Sequence, residues 1–182
     1  MKSIEWMKTL LLVSLIVLAS CTEEIKKKVL PTFAVNVPGI QLTIPAIKFV
    51  LDKELPVGAL KTPLNMDSTL KANTSGTFGA ASITSVRVKN ITLRVTNADS
   101  LNHLGNFETA RMKIYNDSSS AEILNIKFPE HFTDSINIIP ADQPEIVSFL
   151  KGETLAYNLY WKNRKRTAKS LKLKVNITFA VQ

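Results

Sequence analysis

One thiol, two imidazoles and a short run of aromatic and guanidinium groups are the side chains through which this 182-residue chain could do chemistry. The thiol is Cys21, and with no second cysteine it can form neither an internal disulfide nor a multi-cysteine metal site. The imidazoles, His103 and His131, stand at no zinc-ligand spacing, and the chain has no HExxH, so neither a metal nor a cofactor is expected. Asp99, Ser100 and His103 are close in sequence, as are His131 and Asp134, but short polar runs in a β-rich chain are usually turns. Carboxylate pairs that hydrolyse glycosides are defined by a separation in space of about 5 to 9.5 Å. Most acids here, including Asp52, Asp67, Asp117 and Glu130, fall in apparent turns. Glycine-rich nucleotide fingerprints are missing, with six glycines in all. A hydrolase is therefore the last of the alternatives, and no enzyme is expected.

The aromatic and basic run offers binding instead. Tyr157, Tyr160 and Trp161 lie beside Arg164 and Arg166, and aromatic faces next to charged donors suit sugars or acidic groups. Tyr157 and Trp161 share the apolar phase of their strand and belong to the core, which leaves Tyr160, Arg164 and Arg166 as candidate ligand contacts. The formal charge of +8 favours anionic partners such as phosphorylated lipids, acidic glycans or released nucleic acid, and no specific nucleic acid partner is expected.

Cys21 follows Lys2, Lys8, an apolar run from Leu10 to Leu18 broken only by Ser14, and the small pair Ala19-Ser20. That run is shorter than the roughly 20 apolar residues a bilayer-spanning helix needs, so residues 1–20 read as a removable export signal. Leu18-Ala19-Ser20-Cys21 resembles the bacterial lipoprotein signal. The resemblance implies that Cys21 is the lipidation site, becoming the first mature residue and carrying diacylglycerol and further acyl chains, enough for stable membrane anchoring. Thr22 after the cysteine implies the outer membrane by the same resemblance, and Glu23-Glu24 resembles an acidic signal for surface exposure. Residues 21–32 form the lipidated tether, in which Lys26-Lys27-Lys28 can press against anionic headgroups.

From Phe33 to Gln182 the chain reads as an all-β, two-sheet antiparallel sandwich with one short crossover helix near 142–151. Leu171, Leu173, Val175, Ile177, Phe179 and Val181 alternate with polar residues, as do Leu155, Tyr157, Leu159 and Trp161. The simplest geometry joins these two strands in a hairpin through the basic stretch Lys162–Lys169. In Ser82–Asn97 the apolar phase changes after Val88, which predicts a bulge near Lys89-Asn90. Glu108–Asn116 and Ala121–Phe128 are joined by a polar turn. Gln41–Leu51 and Met66–Ala72 are also expected strands, with a loop over Asn73–Ala81. Five prolines recur through residues 22–65, so a separate small unit there is an open alternative.

The spacing from Ile83 to Gln182, including Gly105-Asn106-Phe107, Phe149-Leu150-Lys151-Gly152 and Thr178-Phe179-Ala180-Val181, resembles Bacteroidetes-type envelope lipoproteins of β-sandwich type with no assigned activity. Asp67-Ser68-Thr69, Asp99-Ser100-Leu101 and Asp134-Ser135-Ile136 resemble O-glycosylation acceptors of such proteins, which makes Ser68, Ser100 and Ser135 candidate modification sites. The expected function is that of a lipid-anchored, non-enzymatic domain binding an envelope protein or an extracellular ligand such as a glycan. A structural or assembly component of the outer membrane or surface is the first alternative.

Overall fold

Alternation at a period of two decides most of this fold. The computed structural model describes residues 32–37, 39–150 and 154–182, of which those from Phe33 to Gln182 form one compact unit. The signal segment, Cys21 and the basic tether lie outside the described residues. The strands are β1 (Phe33–Asn36), β2 (Ile40–Ile44), β3 (Leu55–Pro63), β4 (Val86–Val95), β5 (Phe107–Tyr115), β6 (Ser120–Lys127), β7 (Ser135–Ile138), β8 (Thr154–Asn163) and β9 (Leu171–Val181). A helix, α1 (Met66–Asn73), follows β3, and 3₁₀ turns span Ala80–Ser82, Leu104–Asn106 and Val147–Leu150.

Two antiparallel sheets result, as the all-β reading expects. One has the order β1-β9-β4-β7, with β2 continuing the β1 edge of β9; the other has the order β3-β8-β5-β6. The long alternating strands β9 and β8 are interior, with partners on both sides. Leu171, Val175, Ile177 and Phe179 from one sheet and Leu155, Tyr157, Leu159 and Trp161 from the other are buried. The phase change in β4 is a register shift between Val88 and Asn90, which places Val88 and Ile91 both in the core. β3 carries Pro56 and Pro63 on a sheet edge, where a missing N–H breaks no ladder, and Gly58 supplies φ +139° at its irregularity.

Four expectations are corrected. Met66–Ala72 is helical, because Asn65 caps it by accepting from the Ser68 N–H at 2.9 Å and Met66 and Leu70, four apart, share the buried face. The helix expected near 142–151 shrinks, among the described residues, to the 3₁₀ turn Val147–Leu150, preceded by Glu145, whose carboxylate accepts from Ser85 and Val86. β8 and β9 do not form a hairpin: they belong to opposite sheets, and residues 164–170 cross between them. The separate unit left open over residues 22–65 does not hold for its described part from Phe33 on, since β1, β2 and β3 pair with β9 and β8.

The registers put four crossings at one end. Ile44 faces Leu171, Val95 faces Leu173, Leu55 faces Trp161, Phe107 faces Asn163, and Ser135 faces Arg94. Loops 45–54, 96–106, 128–134 and 164–170 all pass from one sheet to the other there. Phe33, paired with Val181, enters the domain at the opposite end.

Candidate functional site

The four crossing loops are held by side chains that satisfy backbone groups where ladder bonding has ended. The amide of Asn106 is central: its Oδ1 accepts from the His103 N–H at 2.9 Å, and its Nδ2 donates to the carbonyls of Leu101 at 3.0 Å and Arg166 at 2.9 Å. Its own carbonyl accepts from the N–H groups of Arg164 and Lys165. Asn102 Oδ1 takes the Ala168 N–H at 2.7 Å, and Asn97 bridges Ser170 and Lys172. Thr167 and Ile47 exchange two bonds, Ile47 N–H to Thr167 Oγ1 at 2.9 Å and Thr167 N–H to the Ile47 carbonyl at 3.2 Å. Gly105 is required by a close approach, since a Cβ there would lie 2.5 Å from the His131 carbonyl oxygen.

Three of these loops, 45–54, 96–106 and 164–170, line an open cavity of about 640 Å³. Lys48, Lys165 and Arg166 give it three cationic side chains, and no carboxylate lines it among the described residues. Ile47 and Leu101 supply apolar wall, and His103 and Asn106 supply polar wall. His103 is mostly buried, with Nδ1 accepting from the Gly105 N–H at 3.0 Å and its ring 5.1 Å from that of Phe132. Burial, with Lys165 nearby, pushes its pKa below the ordinary 6.5, so the imidazole is neutral at pH 7. The neighbouring Asp99 is drawn down to about 2, chiefly by the hydrogen bond from Lys169 and then by that from Asn102. The recorded bonds of Asp99 and His103 go to Lys169, Leu101, Asn102 and Gly105, which gives no relay from Asp99 through His103 to Ser100.

The candidate contacts part company here. Arg166 lines the cavity. Arg164 does not: its side chain is 15% exposed, and its guanidinium donates to the carbonyls of Phe128 at 3.1 Å, Pro129 at 3.2 Å and Gly105 at 3.3 Å. Tyr160 lies on the outer face of its sheet, under Arg111 at 5.2 Å from the ring centre, and Arg111 is paired with Glu54 and Glu122. Ser68 is exposed on α1, Ser100 is exposed on the cavity wall, and Ser135 is exposed at the start of β7. His131 is exposed, and among the described residues no group of three or more histidines and acids is arranged to hold a metal. Lys48, Lys165 and the Asn97, Asn102 and Asn106 scaffold were missed by sequence reasoning. Their one signal was asparagine recurring on both sides of Gly105.

Neither a family model nor a curated protein matches the sequence. Among solved structures, the chain is similar to the family 32 carbohydrate-binding module from C. perfringens NanJ in complex with galactose, at TM-score 0.37 and 8% identity over 79% of this chain and 99% of that one. It is also similar to the decameric BFDV capsid protein, at TM-score 0.32 and 8% identity over 84% and 100% of the two chains. A chain of the Israeli acute paralysis virus particle gives TM-score 0.29 and 15% identity over 83% of this chain and 72% of that one. Likeness at this level leaves ligand and assembly to be argued from this chain's own residues.

Proposed function

We propose that this chain is a lipid-anchored envelope protein, held at the outer membrane through Cys21, whose β-sandwich is a non-enzymatic binding domain. Its ligand is anionic, of the acidic-glycan class, and occupies the cavity between the crossing loops. The observation that carries this is the cavity lining, with Lys48, Lys165 and Arg166 cationic and carboxylates missing among the described residues. A concave site with an apolar wall, fixed polar groups and one sign of charge suits a small charged ligand. Neutral His103 adds a ring face and a further nitrogen without competing for the anion.

Titration calorimetry of the full chain with a uronate oligosaccharide and its neutral counterpart tests the ligand class. Binding of the acidic sugar, weakened at least about tenfold in Lys165→Ala/Arg166→Ala, supports it, since each charge-assisted bond contributes about 1.5 to 3 kcal/mol. Equal binding of the neutral sugar would sink it. The anchor has its own test: a Cys21→Ser chain expressed in a bacterium should lose incorporated acyl chains and its place in the membrane fraction.

A further inference from the structure

Exposed apolar side chains gather at one end of this domain. Six large ones are well exposed among the described residues, and five belong to the crossing loops: Phe49 at 70%, Val50, Leu51, Leu101 at 68% and Phe132 at 54%. The sixth, Ile139, follows β7 and lies away from these loops, beside the middle of β4. Single exposed apolar residues are ordinary, whereas a group at one end marks an interaction surface. These sit at the tips of three separate loops around the cavity, joined to it through Lys48 next to Phe49, through Leu101 in the wall and through Phe132 against His103.

The charges at the same end are sorted. Asp52 pairs with Lys162, Glu54 with Arg111, Asp99 with Lys169 and Glu130 with Arg164, so every acid of these loops except Asp134 has a cation. Lys48, Lys53, Lys165 and Arg166 have no ion-pair partner among the described residues. The end thus presents apolar tips with surplus positive charge beside them. A bilayer with anionic headgroups is complementary in both respects, apolar at depth and negative at the surface.

We infer that the loop end docks on an anionic lipid bilayer, with the Phe49–Leu51 tip, Leu101 and Phe132 entering the headgroup boundary and an anionic headgroup occupying the cavity. The headgroup contact rests on the anion-binding reading above; the insertion of the tips goes beyond it.

A spin label on Leu51→Cys, exposed and outside the cavity lining, in the full chain carrying Cys21→Ser reads this end alone, whatever the N-terminal segment does. On vesicles of phosphatidylglycerol and phosphatidylethanolamine the label should become accessible to oxygen and shielded from aqueous relaxants, and on phosphatidylcholine vesicles it should stay aqueous. A label on Lys113→Cys, on the outer face of β5, should stay aqueous on both. Adding Phe49→Ser/Val50→Ser should reduce the population of docked label at least about tenfold, from the apolar area withdrawn, while soluble uronate binding is unchanged. A label that remains aqueous on anionic vesicles while uronate still binds overturns the docking and leaves the proposed function standing. Loss of both overturns both, and docking unaffected by Phe49→Ser/Val50→Ser overturns the role of the tips.

Discussion

Arg164→Ala separates a residue that builds the loop end from one that uses it. The guanidinium donates to three backbone carbonyls, of Phe128, Pro129 and Gly105, on two different loops, and its side chain is only 15% exposed. A hydrogen bond to a charged group contributes about 1.5 to 3 kcal/mol. The three bonds share one planar group, lie at 3.1 to 3.3 Å, and do not add independently. The contact with Glu130, 80% exposed at 3.7 Å, contributes almost nothing. The expected loss is therefore about 2 to 4 kcal/mol, and at roughly 2 to 4 °C per kcal/mol in a unit of this size the melting temperature falls by ~4 to 16 °C. Arg164→Lys recovers only part of this, since one ammonium cannot reproduce the fork. Urea unfolding followed by the fluorescence of Trp161, alongside Arg166→Ala as the exposed control, is the assay. A loss below about 1 kcal/mol in Arg164→Ala, or an equal loss in both variants, would refute the assignment of Arg164 as a clasp.

Tyr157 is fully buried with its hydroxyl unpartnered among the described residues, and burial raises its pKa; Tyr157→Phe should hold or raise stability by about 1 kcal/mol, measured by the same unfolding curves. His103 has a folded pKa below its unfolded 6.5, so the stability it contributes is complete above pH 6.5 and is lost as pH falls through the folded value. His103→Asn, whose Oδ1 can still accept from the Gly105 N–H, should show a smaller loss below pH 6.5 than the wild type in pH-dependent unfolding. Asp99 shifts the same way at lower pH: its contribution is present above 3.8 and disappears as pH falls through about 2. Amide exchange of Leu101 and Asn102 should accelerate in that window and do so already at pH 7 in Asp99→Asn, which keeps one acceptor but loses the charge facing Lys169.

Strands whose alternation is long and unbroken were legible because burial of one face forces the pattern on the sequence. β9, β8 and the bulge at Val88/Asn90 are of this kind. Alternation reports a face and not a partner, which is why β8 and β9 could be recognised as strands while their assignment to opposite sheets could not. Met66, Ser68, Leu70 and Ala72 fit a period of two as well as Met66 and Leu70 fit a helix, and only the Asn65 cap breaks the tie. The cavity was hidden for a different reason. Its walls come from loops up to 120 residues apart, as in the bond between Ile47 and Thr167, and its scaffold is made of asparagines that look in sequence like ordinary turn residues. Arg164 and Arg166, two residues apart, have the same sequence appearance; backbone direction alone makes one a clasp and the other a contact.

The two ends of the sandwich give the proposed anchor a mechanical consequence. Phe33 pairs with Val181, so the chain enters the domain at the end away from the cavity, and the 11 residues of β9 set a separation of about 36 Å between the ends. The segment from Thr22 to Thr32 reaches at most about 36 to 40 Å when fully extended. A domain anchored at Cys21 would need nearly all of that length to turn its loop end back onto the membrane that holds it. On that reading, docking on a second anionic surface places no such demand on the length between Cys21 and Phe33.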